Sequence, residues 1–424
     1  MKTKYFILII VLMILVASGA YWYFLMGPNI NSRNRVTDTI DRFNPFNRGE
    51  VEQEPTTNRP TNTRPVIDTD TNPEPTPINK QPLFRILSKT PVGGYTASST
   101  ASSTIIRWID RGRGNIYQTE IGTEDIMTIS NTVVPKIINS VWNNRSDAFI
   151  SSIIGENDVV STVYTELRKK RVLASSTEET LYEIKGQNLN KDVITYTASP
   201  KRDKILIVYK ETNGDSVGYT STFDGQKTTR VFTTPMNQIN IEWPEENTIT
   251  ITTKANSSQN GYMYNINTKT GVWKKVIGPL KGLNTKTSVG GKYTLYSYTD
   301  SQGRVRVDIL DINKNTTNNL YVSTFADKCV WGRFYTEVVY CGTPIKLDDL
   351  KYPEDWYIGK TEFADEIWQI NAKTNDIKSV FKPVSQARKL VDAYNMFIDS
   401  KDNILLFNNK NDNSLWLVDL VSAK

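Results

Sequence analysis

The chain contains no histidine in 424 residues. That absence removes Ser-His-Asp and Cys-His catalysis and every His-ligated metal site, and with them the commonest general base near neutral pH. Cysteine is almost absent as well, with two in the chain, too few ligands for a zinc site when no histidine can complete the set. No charge of one sign dominates: 51 Lys and Arg oppose 45 Asp and Glu. A mixture this balanced lacks the concentrated basic stripe of a nucleic-acid binder. Long helical periodicity is missing too. Gly112 and Gly114 therefore read as hairpin-turn glycines and not as a phosphate cradle, since no helix pattern follows them, and neither nucleotide nor cofactor is expected.

The one long apolar run is at the start. Residues 5–26 are apolar apart from Ser18 and the aromatic hydroxyls. As a helix they would span roughly 33 Å, enough for the hydrocarbon core of a bilayer. Lys2 and Lys4 precede the run, so residues 1–4 are expected in the cytoplasm and everything after Met26 outside it. A cleaved signal peptide is the rival reading, with Ser18-Gly19-Ala20 as small residues at a processing site; the apolar run continues past them to Met26. Residues 27–80 are rich in Pro, Thr and Asn, with Pro55, Pro60, Pro65, Pro73, Pro75 and Pro77 among polar neighbours. Such a composition cannot offset the entropy of ordering, and the segment reads as a disordered tether between membrane and folded domain.

From residue 81 onward the pattern changes. The phrase Tyr264-Asn265-Ile266-Asn267-Thr268-Lys269-Thr270-Gly271 returns at Leu310-Asp311-Ile312-Asn313, at Trp368-Gln369-Ile370-Asn371 and, more loosely, at Trp416-Leu417-Val418-Asp419. The spacing is roughly 46 to 58 residues, the range of a four-stranded propeller blade. Short runs of period two, such as residues 247–253, are separated by turn residues, the mark of many antiparallel strands. Residues 204–209, 293–298, 337–341 and 404–407 read as equivalent strands, each after a tight turn. The expected fold of residues 81–424 is therefore all-β: a β-propeller of about seven four-stranded blades, with six or eight as alternatives, at roughly 49 residues each. Candidate blades fall near 101–135, 138–190, 192–232, 237–278, 284–322, 326–381 and 390–424. The run Leu83 to Ser88 would join the last of them and close the ring.

Cys329 and Cys341 lie symmetrically about Tyr335, so a hairpin turning near residues 334–337 would set them opposite each other. A disulfide is expected, with two buried thiols as the other reading. The segment 343–365 concentrates Asp348, Asp349, Glu354 and Asp355 around Tyr352, Trp356 and Tyr357, the combination of acids and aromatic platforms by which sugars are gripped and cut. These seven residues are the candidate ligand or partner site. The blander reading is a packed surface elaboration. Arg168, Lys169, Lys170 and Arg171 form a second candidate, for an anionic surface, which Arg107, Arg111 and Arg113 could extend. The blander reading there is an edge strand guarded by charge.

Trp142, Trp243 and Trp331 each stand just before a turn and hairpin, with Ser199-Pro200 where the Ser-Pro-Asp-Gly box of TolB stands. In this the chain resembles TolB-like and WD-repeat propellers over residues 100–424. Cys329-Val330-Trp331, Tyr340-Cys341, Pro353, Asp355-Trp356-Tyr357, Gly359, Phe363 and Asp365-Glu366-Ile367-Trp368 are similar to a set of membrane-anchored bacterial propellers. The resemblance implies an extracytoplasmic module that binds an envelope protein or polysaccharide, with no catalytic residue to carry over. A carboxylate-dependent glycoside hydrolase or lyase is the alternative. It would need two acids about 5 to 9.5 Å apart at the propeller axis.

Overall fold

The computed structural model describes residues 83–422, apart from residue 101 and the stretches 131–135, 156–157, 171–181, 190–191 and 349–350. The apolar run 5–26 and the Pro-rich segment 27–80 lie outside the described residues. No helix among the described residues is long and apolar enough to cross a membrane.

Among the described residues, all pairing is antiparallel and, with one exception, between sequence neighbours, in five four-stranded sheets and one of seven strands. The seven-stranded sheet divides within the long strand Trp273–Thr287. Its first half pairs with Asn260–Asn267 and its second half with Tyr293–Thr299, and Lys281 has a partner on each side. Counted this way, the sheets make seven blades: residues 92–130, 137–188, 193–234, 239–281, 281–320, 329–381 and 393–419. The seventh takes its fourth strand, Phe84–Ser88, from the other end of the domain, where Phe84 pairs with Val418 and Ile86 with Trp416. That exchange ties the two ends of the ring together.

Second strands are buried on both faces, which explains why they read as continuous apolar runs. In blade 3, Ile205 and Ile207 pack toward blade 2, while Leu206 and Val208 pack toward blade 4. One apolar cluster fills each gap between successive blades, and the seventh, with Leu87, Trp108 and Leu417, joins blade 7 to blade 1. The core is thus a ring of seven wedges.

The repeated phrase has a local cause. It ends the third strand of blades 4 to 7 with Asn or Asp, whose side-chain oxygen accepts two backbone N–H groups of the turn. Asn267 takes those of Lys269 and Thr270, Asp311 those of Asn313 and Lys314, Asn371 those of Lys373 and Thr374, and Asp419 those of Val421 and Ser422. A left-handed residue follows at Gly271, Asn315 and Asn375, where glycine and asparagine are least strained.

The disulfide is present. Cys329 and Cys341 pair directly across the first hairpin of blade 6 and are bonded.

The first blade begins earlier than its sequence suggests, with the strand Val92–Ser99. Small residues hide it. A Cβ at Gly93 would lie 2.7 Å from Ile137 Cγ2, and one at Gly94 would collide with Ser140 Oγ, so the innermost strands of blades 1 and 2 touch only because no side chain intervenes.

Candidate functional site

Where the first strand of each blade turns into the second, the seven innermost strands surround a cavity of about 340 Å³ on the ring axis. All seven blades contribute, from Tyr95 of blade 1 to Phe397 of blade 7. Trp142, Trp243 and Trp331, singled out by their place before a turn, stand in its wall with 1%, 6% and 3% of their surface exposed. They are wedges between strands, and they offer no open face.

Two arginines reach across the axis. Arg202, from the blade 3 turn, lies with its guanidinium carbon 4.4 Å from the Phe397 ring of blade 7. Burial, with the charge of Arg333 nearby, holds its pKa below the ordinary arginine range. Arg333, from the blade 6 turn, donates through Nη2 to the carbonyl of Pro200, 3.1 Å away in blade 3. Its own turn is gripped by blade 7: the Asp402 carboxylate accepts the backbone N–H groups of Arg333, Phe334 and Tyr335 at 2.7, 3.2 and 2.8 Å. Asp402 is buried, and three amide donors on one carboxylate make a charge-assisted latch between blades.

Among the described residues the cavity wall carries one acid, Glu242. Its Oε2 accepts the Thr287 N–H at 2.9 Å and its Oε1 is 3.6 Å from Lys286 Nζ. Burial raises its pKa, against the lowering pull of Lys286.

The connection between the second and third strands of blade 6, residues 345–364, is at the opposite end of the strands from this cavity. Of the rings expected there as a platform, two are turned inward. Tyr352 and Trp356 are buried, at 4% and 3% exposure, and form one cluster with Phe325 and Phe363. Apolar rings of this size pack down onto the blade edge, as the hydrophobic effect favours. Tyr357 Oη donates to Asp327 and accepts from Asn284 Nδ2 at 2.8 Å. The short helix Glu354–Tyr357 is pinned by Glu354, whose Oε1 accepts the N–H and hydroxyl of Ser257 at 2.6 and 2.9 Å. Asp355 accepts the Lys351 N–H and the Lys360 ammonium. Asp348 is exposed beside Lys346, 2.8 Å away; Asp349 lies outside the described residues.

Beneath that insertion is a buried charge cluster that the sequence did not signal. Lys328 Nζ lies 2.7 Å from Asp365 Oδ2 and bonds Asp392 Oδ1; none of the three side chains is exposed. The ammonium is also 4.8 Å from the Trp356 ring and 5.0 Å from that of Phe363. Trp356 Nε1 donates to Asp392 at 2.9 Å. Asp365 is pushed up to about 6, chiefly by burial, with Lys328 pulling it down and Asp392 pushing it up.

The basic run begins in blade 2, where Arg168 and Lys169 are exposed. Arg168 and Lys169 end the third strand of blade 2, an interior strand, where it overhangs the second strand and pairs with Glu183 and Tyr182 of the fourth. Arg168 is bound to Glu166 at 2.9 Å. Lys170 follows the strand, half-buried and partnered, and Arg171 lies outside the described residues. Arg107 does not extend this run. It is buried, donating to Gln118, to the Ser146 carbonyl and to Tyr182 Oη, and it ties blade 1 to blade 2.

Sequence reasoning passed over Arg202. The signal was there in the alignment of first turns: the left-handed position holds Ser146, Arg202, Gly291 and Asp402 in four blades, and arginine is the outlier.

Seven radial sheets, closed end to end around an axial cavity, define the class: a β-propeller. Among solved structures, the chain is similar to an oligogalacturonate lyase in complex with manganese at 11% identity and TM-score 0.50, covering 79% of this chain and 98% of that one. It is also similar to an oligogalacturonate lyase from Vibrio parahaemolyticus, at 10% identity and TM-score 0.47 over 78% and 97%. TolB from Acinetobacter baumannii follows at 14% identity and TM-score 0.41 over 64% and 62%. No protein-family model matches the chain, and no curated protein matches it. At such identities the likeness bears on the fold alone.

Proposed function

We propose that the protein is a membrane-anchored interaction scaffold of the cell envelope. The apolar run 5–26 holds it in the cytoplasmic membrane with the N-terminus inside, and the propeller stands outside to bind an envelope protein or polymer without transforming it. The observation that carries the binding reading is the composition of the axial cavity. Glycoside cleavage by carboxylates needs an acid pair, and among the described residues the cavity wall supplies Glu242 alone, already engaged by Lys286 and the Thr287 N–H. The manganese of the lyase structure has no ready counterpart in donor chemistry: among the described residues no three Asp, Glu, Cys or His side chains gather as a metal requires. The Cys329–Cys341 bridge supports export, since structural disulfides persist in oxidising compartments.

The test is affinity purification of the intact protein from its own membranes after mild crosslinking, with copurified polysaccharide sized before and after incubation. A copurifying component of unchanged length is expected. Shortening of the polysaccharide that Glu242→Gln abolishes would contradict the non-catalytic reading.

A further inference from the structure

The guanidinium of Arg202 has no carboxylate and no hydrogen-bond acceptor among the described residues. Its contact is the Phe397 ring. Its backbone is left-handed at φ 54°, a conformation that costs a non-glycine residue roughly 1–2 kcal/mol. The corresponding turns use Ser146, Gly291 and Asp402, residues at which that strain is smaller or a hydrogen bond offsets it. At Arg202 the backbone keeps its turn bonds, its N–H to the Ser199 carbonyl at 2.8 Å and its carbonyl to the Asn144 N–H at 3.1 Å, but the side chain adds no hydrogen bond among the described residues. The strain and the unpaired charge fall on one residue, and its side chain is aimed at the axis and stacked so that little conformational freedom remains to be lost.

The rest of the cavity agrees in sign. Arg333 and Lys286 join Arg202 in the lining, against Glu242 as the one acid. Lys286 and Glu242 face each other, and Arg333 is balanced by Asp402 and Asp399, so the uncompensated charge is that of Arg202. A second cavity of about 430 Å³ continues outward between the first turns of blades 3 and 4. It shares Pro200, Trp243, Pro244, Val289 and Arg333 with the axial one. Its outer rim carries both signs, with Lys204 3.6 Å from Glu246, so selection for an anion falls at the axial end. The two together form a bent trough, open outward and ending on a cation.

We propose that this trough receives an extended polypeptide segment of a partner protein, with one acidic side chain of that segment seated against Arg202 on the propeller axis. The inference deepens the scaffold reading and rests on it. A uronate sugar has the same carboxylate chemistry but lacks its other requirement here. The three cavity tryptophans are buried and Phe397 is covered by the Arg202 guanidinium, so none of these four lining rings offers an open face for a pyranose ring to stack on; the exposed Phe334 and Tyr335 stand outside the lining.

The experiment uses the intact protein in detergent micelles and an end-capped alanine pentapeptide with one central glutamate, beside its glutamine counterpart and trigalacturonate, titrated by tryptophan fluorescence. The glutamate peptide is expected to bind ~10-fold or more tightly than the glutamine peptide, as a charge-assisted bond in a desolvated site requires. Arg202→Met should erase that preference, Arg202→Lys should keep part of it, and Arg145→Met, at an exposed turn, should leave it intact. Equal binding of the two peptides, no binding of either at millimolar concentration, or an Arg202→Met protein that is less heat-stable yet keeps the preference, would each overturn the proposal. The last outcome would make Arg202 a strut between blades. Tighter, Arg202-dependent binding of trigalacturonate would overturn it in favour of a uronate polymer. Copurification of a partner that persists in Arg202→Met would leave the scaffold standing while this inference fails.

Discussion

Replacing Lys328 with methionine removes an ammonium and keeps the length of the side chain. In the native protein that one ammonium is shared by Asp365 and Asp392, with all three side chains sealed from water. Removing one partner of a buried pair costs about 3–5 kcal/mol, because the remaining charge is left uncompensated. Here Asp392 would keep the Trp356 indole and the Phe363 N–H, and Asp365 the Ala393 N–H at 2.6 Å, while Asp365 Oδ1 has no partner among the described residues. Two carboxylates with three donors between them place the expected loss near 4 kcal/mol at pH 8.

The pH dependence follows in sign. Asp365 is already raised to about 6 from the ordinary carboxylate range, so the native state holds its proton more tightly than the unfolded chain. Such a group favours folding more as pH falls through about 6. Without Lys328 its pull downward is gone, the shift grows, and the penalty of Lys328→Met should shrink by ~2 kcal/mol or more between pH 8 and pH 5. Urea unfolding followed by tryptophan fluorescence at the two pH values measures both quantities. A loss below ~1 kcal/mol at pH 8, or a penalty that grows on acidification, would refute the reasoning. Adding Asp365→Asn and Asp392→Asn to the variant should recover most of the lost stability.

Three further outcomes are expected. Neither cysteine should react with a thiol reagent in the unfolded, unreduced protein, and Cys329→Ser with Cys341→Ser should lower stability by about 3 kcal/mol on the chain-entropy model for so short a loop; ready labelling would show that the bridge does not form. Asp402→Ala strands three turn amides and should cost about 1–3 kcal/mol in thermal or urea unfolding, with faster hydrogen exchange at residues 333–335, and unchanged exchange there would remove the latch from the account. Gly94→Val forces apart the inner strands of blades 1 and 2 at a cost of about 1–3 kcal/mol, and a variant as stable as wild type would mean that those strands do not touch.

Much of the ring was legible in the sequence because its determinants are local. The Asn or Asp that ends the third strand of blades 4 to 7 sets its own turn through side-chain bonds to the next few amides, so the same physics leaves the same letters at Asn267, Asp311, Asn371 and Asp419. Second strands were readable because burial on both faces demands unbroken apolar runs. The Cys329–Cys341 pairing needed only the symmetry of a hairpin. What stayed hidden depends on distant parts of the chain. Val92–Ser99 falls outside the candidate blade that starts at 101, because its glycines answer to Ile137 and Ser140 in the next blade. Lys328, Asp365 and Asp392 meet only when the insertion folds over them, and the inward turn of Trp356 is part of that meeting. Acids and aromatics in one segment therefore suggested a ligand platform, whereas in the fold Tyr352 and Trp356 form a plug. The axial arginines belong to two turns 131 positions apart, Arg202 and Arg333, and no periodicity links them.

The central claim is that partners meet this propeller outside the membrane, on the face where first strands turn into second strands. Photo-crosslinking amino acids placed singly at Lys201 and Gly290, on the rim of the trough, and at Ile358, on the exposed insertion at the other end of the strands, test it in living cells. The account predicts one discrete envelope-protein adduct from Lys201 and Gly290, absent in the Arg202→Met background, and none from Ile358. Adducts from Ile358 alone, or adducts to cytosolic proteins from any of the three, would contradict it.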